Sequence, residues 1–187
     1  MEELNRLILV NKTHRILEDW SEHLHLSKVQ DTPDSVRLEE QACQAFQKLQ
    51  TCLLETEKII LRAADGYRSL ADQQRVWDEL LESRGEAYVR GHVAKPGYSE
   101  HHTGLAADAE LDFADQEDAR REAFPLIPAF HRHLAEHGFI LRYPAGKESI
   151  TGYEPEWWHI RYVGTEHARA MEKAGLVLEE YLEQIRK

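Results

Sequence analysis

His101 and Asp108 stand seven positions apart, and some fifty residues later Glu156 stands three positions before His159. Neither pair is a site by itself. The first offers one imidazole and one carboxylate, the second a further imidazole, and three such ligands with a fourth position open are how a catalytic zinc ion is held. A fold that uses both halves must lay the segment around Asp108 beside the segment around His159. The run Gly104-Leu105-Ala106-Ala107 favours this, because small residues let a backbone come close to a neighbouring strand and leave room for an ion. His102 competes with His101, and pattern alone does not separate them. Glu156 is then an extra ligand, a partner of a ligand, or a general base beside a metal-activated water.

The rest of the chain reads as alternating helices and short strands. Leu7 to Val10 is a short apolar run, a strand end or buried arm, and residues 18–35 are polar and irregular with a turn at Pro33-Asp34. Ala42, Ala45, Phe46, Leu49 and Leu53 recur at helical spacing from Glu39 to about Thr56. Ile59 to Ala64 reads as a buried strand ending at Asp65-Gly66-Tyr67-Arg68. Ser69 then caps a helix with Asp72 three residues on, and Val76, Trp77, Leu80 and Leu81 form its apolar face. Residues 85–97 read as a loop. Leu105 to Phe113 alternates as a strand with Asp108 on its polar face, and a helix from Ala129 to His137 closes at Gly138. Strands follow at Phe139–Tyr143 and Trp157–Val163, the latter with Trp157, His159 and Arg161 on one side. Helices at Thr165–Ala174 and Leu178–Arg186 end the chain. The order lacks a repeating βαβ rhythm, which predicts an α+β fold: one domain over 1–187, a small antiparallel sheet flanked by helices, and an N-terminal arm at about 1–35.

Bulk properties exclude several classes. A formal net charge of -11 without a basic block argues against a nucleic-acid partner. Cys43 and Cys52 fall nine residues apart on one expected helix, about 13 Å at roughly 1.5 Å per residue, beyond the roughly 7 Å reach of a disulfide. The acidic start and the short Leu7–Val10 run fit neither a signal peptide nor a membrane span, so the expected location is cytoplasmic, or the cell envelope if an anchor precedes the chain in the whole protein.

Arg68 sits at a strand-to-helix junction, where it can clamp an anion or stabilise an oxyanion. Ser69 reads as a cap, and Trp157 and Trp158 as core and rim more often than as a substrate platform.

These residues carry a resemblance. Ser99-Glu100-His101 with Thr103-Gly104-Leu105-Ala106 and Asp108, then Glu156, Trp158, His159 and Arg161-Tyr162-Val163-Gly164, resemble the VanY-type D-alanyl-D-alanine carboxypeptidases. These belong to a zinc peptidase superfamily with the VanX D,D-dipeptidases, and its core is shared with hedgehog signalling domains. Gly66-Tyr67-Arg68-Ser69 with Gln73, Arg142-Tyr143-Pro144, Gly146-Lys147, Thr151-Gly152 and Leu178-Glu179-Glu180-Tyr181-Leu182 extend the likeness over most of the chain. The resemblance implies a hedgehog/D,D-peptidase-like fold and one Zn2+ held by His101, Asp108 and His159, which selects His101 over His102. It implies Glu156 as catalytic acid and base and Arg68 at the scissile carbonyl. Ser99, with Tyr98, Gln73 and Trp157, would face the substrate.

The expected reaction is removal of the terminal D-alanine from peptidoglycan stem peptides or precursors by a monomer. Glu156-Trp157-Trp158-His159 departs from the Glu-Pro-Trp-His common in VanY-type enzymes and resembles the VanX form, so a D-Ala-D-Ala dipeptidase and an L,D-carboxypeptidase stand as alternatives. A non-catalytic zinc-containing module that binds cell-wall peptides is the rival of another class, but a pure binder needs no general base.

Overall fold

A short antiparallel pair, β1 (Leu26–Lys28) and β2 (Arg37–Glu39), leads into α1 (Glu40–Glu57) and β3 (Ile59–Asp65). The computed structural model describes residues 5–32, 35–114 and 124–186, so the turn expected at Pro33-Asp34 lies outside the described residues. Next come α2 (Leu70–Arg84), α3 (Glu86–His92) and, after a 3-10 turn at Glu100–Thr103, β4 (Ala106–Phe113). The chain continues through α4 (Ile127–Leu134), β5 (Phe139–Tyr143), α5 (Glu148–Thr151), β6 (Glu156–Tyr162), α6 (Thr165–Ala174) and α7 (Leu178–Ile185).

The main sheet has the order β3-β4-β6-β5 and every pairing is antiparallel. This is the α+β arrangement expected, with β4 and β6 side by side at its centre. Leu105, Ala107, Ala109 and Leu111 turn one face of β4 into the core, where they meet Phe46, Leu49 and Leu53 of α1. Glu39 caps α1 by accepting from Gln41 N at 2.9 Å and Ala42 N at 3.1 Å, and its helical stripe is buried as the spacing predicts. Val10, Ile16, Trp20 and Val29 of the N-terminal stretch join the same core. The opposite face of β4 carries Asp108.

One expectation fails here, and one apolar face takes an unusual place. Residues 85–97 contain α3 as well as a loop: Gly85, with φ of 83°, ends α2, and the helix formers from Glu86 resume before Pro96 and Gly97 stop them. The apolar residues of α2 do not enter the core. Ser69 and Asp72 form the expected capping box, but Gln73 is the buried residue of the helix, while Val76 and Leu80 line a cleft. The helix stands at the edge of the sheet's polar face, so its apolar side chains form a wall.

Behind that cleft lies a buried charge network. Glu100 Oε1 accepts from Arg142 Nε at 2.8 Å and Arg161 Nη1 at 2.9 Å, and all three side chains are fully buried. Arg142 donates two further hydrogen bonds to Glu179 of α7, at 2.9 and 2.7 Å. Arg161 Nη2 donates to the carbonyls of Arg6 and Ile8, both at 2.9 Å. Both ends of the described chain are thereby tied to the turn that holds His101. Burial alone would push the Glu100 carboxyl up, but the two guanidiniums hold it well below the usual carboxylate range.

Breaking a buried pair leaves an uncompensated charge, so Glu100→Gln should lower the unfolding free energy by about 3–5 kcal/mol at pH 7. Glu86→Gln, which breaks an exposed pair with Arg90, should cost under about 1 kcal/mol. Because the folded-state pKa of Glu100 is depressed, its contribution is complete above the ordinary value of 4.5 and is lost as pH falls below it. Urea unfolding at pH 7 and 3.5 should therefore show the gap between wild type and Glu100→Gln narrowing at the lower pH. A pH-independent gap would contradict the ion-pair account.

Candidate metal centre

Asp108 and His159 are direct cross-strand partners in the β4–β6 ladder, and Asp65 pairs with Asp108 from the other side. Register alone thus delivers two expected ligands to one spot. The third comes from the turn before β4, where Gly104, with φ of 70°, ends the 3-10 segment, and Ser99 caps its start by accepting from His101 N at 3.3 Å. Gly66 is needed for the turn's packing. A Cβ there would lie 2.4 Å from the Arg37 carbonyl, and Gly66 O lies 2.6 Å from His101 Nδ1.

These contacts fix the tautomers. A carbonyl only accepts, so His101 Nδ1 carries its proton toward Gly66 and leaves the Nε2 lone pair facing Asp108 Oδ2 at 3.5 Å. His159 presents Nδ1 to Asp108 Oδ1 at 3.0 Å. Its Nε2 faces Glu100 Oε2 at 3.5 Å, the outer limit of a hydrogen bond, and neither buried atom has a closer partner among the described residues. His102 is committed elsewhere, with Nδ1 on Arg68 O at 2.8 Å and Nε2 accepting from Gly97 N at 2.9 Å. That leaves it no free nitrogen and separates the two adjacent histidines on geometry.

One ligand atom from each of His101, Asp108 and His159 fits within 4.8 Å of the others. Ligand atoms about 2.1 Å from a tetrahedral ion sit about 3.4 Å apart, close to the His101–Asp108 separation of 3.5 Å. Two imidazoles and a carboxylate suit zinc. Each imidazole also has an acceptor behind its other nitrogen, Gly66 O or Glu100, as metal-binding histidines do.

Burial and neighbouring charges compete at each of these groups. Burial lowers the His159 pKa, but the Asp108 and Glu100 carboxylates outweigh it and raise it to about 9. Burial raises Asp108, yet the His101 and His159 imidazoles hold it well below its ordinary value. Glu156 is pushed up to about 7 by burial, with Asp108 adding to the rise and His159 and Arg68 opposing it. Its Oε2 lies 3.9 Å from His159 Nδ1, beside the ligand cluster.

Arg68 aims its guanidinium at the same point. Nε donates to Asp65 Oδ2 at 2.8 Å, Nη1 to Gln73 Oε1 at 3.0 Å, and Nη2 reaches Asp108 Oδ2 at 3.5 Å. Gln73 is itself held by Ala94 O, at 2.8 Å. Arg68, Gln73, Ser99 and Glu156 all line a cleft of about 240 Å³ together with His101, Asp108 and His159.

Tyr98 lines a neighbouring groove instead of this cleft. Trp157, expected to face the substrate, packs against the hydrophobic core, and Trp158 lines the cleft. The register between β5 and β6 slips by two residues between Ile160 and Glu156, and this bulge breaks the simple alternation that placed Trp157 on the side of His159. Sequence reading also missed Tyr143 and Tyr153. Tyr143 packs its ring on His159 at 4.9 Å, and Tyr153 carries a buried hydroxyl without a hydrogen-bond partner among the described residues. Their only signal was the position of Tyr143 within Arg142-Tyr143-Pro144.

Residues 35–165 match the family VanY, D-alanyl-D-alanine carboxypeptidase. The bifunctional D-Ala-D-Ala dipeptidase and D-Ala-D-Ala carboxypeptidase VanXYC of Enterococcus gallinarum is 36% identical over 182 residues, covering 95% of this chain and 94% of that protein. A mutant of the D,D-pentapeptidase VanY from a VanB-type resistance cassette, solved in complex with Zn(II), superposes with a TM-score of 0.82 at 31% identity, covering 96% of this chain and 99% of that one. VanYB in complex with D-alanine-D-alanine also gives 0.82, at 30% identity, over 95% and 97% of the two chains.

A proton on His159 must leave before a metal binds, so zinc affinity should rise about tenfold per pH unit from pH 7 to about 9. Chelator competition at pH 7 and 8.5 measures this, and an affinity that does not change with pH would contradict the assignment of His159 as a ligand.

Proposed function

The chain belongs to the VanY family of D-alanyl-D-alanine carboxypeptidases, and from that premise we propose a zinc-dependent peptidase that hydrolyses the bond before the terminal D-alanine of peptidoglycan peptides or precursors. The observation that carries the reading is the convergence of His101, Asp108 and His159 at one end of a cleft that also holds Glu156 and Arg68. One zinc ion bound by the three ligands would polarise the scissile carbonyl and lower the pKa of a water to about 7.

The chain's own residues supply the rest. Glu156, buried beside the ligands, takes the proton of the attacking water on its carboxylate and returns it to the departing amine nitrogen of D-alanine. A carboxyl raised toward neutrality suits both halves of that exchange. Arg68 holds negative charge as it develops on the carbonyl oxygen, and Asp65 and Gln73 fix its plane before substrate arrives. Ser99 Oγ, which accepts from His101 N, keeps its own proton for the substrate's terminal carboxylate. Val76, Leu80 and Trp158 form the apolar wall against which the small D-alanine side chains pack.

A second reading has its own support. Glu156-Trp157-Trp158-His159 resembles the dipeptidase form, and VanXYC, similar along nearly its whole length, is named for both activities. Cleavage of free D-Ala-D-Ala beside longer peptides fits the same site.

Glu156→Ala should keep its zinc, by metal analysis, while D-alanine release from a pentapeptide falls by about 10²–10⁴-fold. Arg68→Ala should lose about 10²–10³-fold in kcat. A folded, zinc-loaded Glu156→Ala protein with unchanged turnover would overturn the role given to Glu156.

A further inference from the structure

Beside the cleft, and sharing Val93 and Tyr153 with it as a common wall, lies a second groove of about 550 Å³. Its other lining residues are Lys12, Trp77, Arg90, Lys95 and Tyr98. In a chain of net charge -11, three cations converge on a groove whose lining contains no acid. The Lys95 ammonium is exposed and makes no hydrogen bond or ion pair among the described residues. Arg90 gives Nε and Nη2 to Glu86 in an exposed pair and keeps Nη1 unused. Lys12 is built in: its ammonium donates to Arg90 O at 2.7 Å and to Gly152 O, and it lies 4.3 Å over the Tyr153 ring. Glu86 pairs with Arg90 and Glu154 acts on Lys12, but neither lines the groove.

The cleft itself, at about 240 Å³, is below the roughly 300–1,000 Å³ usual for a ligand site, whereas the second groove lies within that range. A carboxypeptidase substrate ends one residue past the scissile bond, so any longer part of the peptide extends from the acyl side. We propose that the Lys12–Arg90–Lys95 groove is a subsite for that acyl-side portion and recognises a free carboxylate on it. Trp77 and Tyr98 supply flat apolar surface for the intervening atoms, and Lys95 and Arg90 supply the charge. The subsite rests on the carboxypeptidase reading and sharpens it: the groove favours an anionic peptide over its neutral counterpart and contributes nothing to a free dipeptide.

The test compares zinc-loaded wild type with the double variant Arg90→Gln/Lys95→Gln. Lys12 is left intact because its bonds hold the groove together. The probes are two acetylated pentapeptides ending in D-Ala-D-Ala that differ only in carrying glutamate or glutamine on the acyl side, together with free D-Ala-D-Ala. KM is read from D-alanine release, and Kd from tryptophan fluorescence on peptide titration. The double variant should raise both values for the glutamate peptide by about five- to twentyfold, the size of two modest charge pairs. Both values should stay unchanged for the glutamine peptide and for the dipeptide. Equal shifts on both pentapeptides, or none on either, would overturn the subsite. If wild type releases no D-alanine from any probe, the carboxypeptidase reading fails, and the fluorescence Kd still scores the groove.

Discussion

Asp108 and His159 face each other across two neighbouring antiparallel strands, and the site depends on that pairing. Cross-strand partners stand about 5 Å apart at their Cα atoms, which brings a short carboxylate and an imidazole into contact without strain. The core side of the same strand fixes the register. Leu105, Ala107, Ala109 and Leu111 are buried, and a slip of one residue would carry them to the polar face and Asp108 into the core. Hydrophobic burial on one face therefore determines how the candidate ligands meet on the other.

A second constraint is electrostatic. The turn carrying His101 also carries Glu100, and Glu100 is held by Arg142 of β5 and Arg161 of β6 while it backs His159. One buried carboxylate therefore links His159, two strands of the sheet and, through Arg142 and Glu179, the last helix. The arrangement concentrates negative charge around the candidate ligands: the Asp108, Glu100 and Glu156 carboxyls surround His159, and Asp108 and Glu100 raise its pKa above the ordinary imidazole value. A divalent cation held by His101, Asp108 and His159 would offset the same field.

Much of this was legible in the sequence, because the signals were local. The stripe Ala42-Phe46-Leu49-Leu53, the Ser69–Asp72 cap and the strands carrying Asp108 and His159 follow from periodicity and capping, and the structure shows each of them. What was not legible depended on tertiary context. The bulge opposite Tyr143 turned Trp158 into the cleft and Trp157 into the core, against simple alternation. The apolar face of α2 was legible, but not that Val76 and Leu80 on it line the cleft. Glu100 reads as an ordinary turn residue until two arginines from distant strands close on it. Spacing alone did not tell His101 from His102; the family resemblance chose His101, and the carbonyls of Gly66 and Arg68 give the physical reason.

The central claim is that a metal held by His101, Asp108 and His159 supports hydrolysis of a D-Ala-D-Ala terminus. Mass spectrometry of the products from a pentapeptide stem, its tetrapeptide and free D-Ala-D-Ala tests it most directly, with and without chelator and with zinc restored. The account predicts loss of one D-alanine from the pentapeptide, abolished by chelator and recovered with zinc, and no cleavage of the tetrapeptide. Pentapeptide cleavage that persists without metal, or cleavage confined to the tetrapeptide, would contradict it.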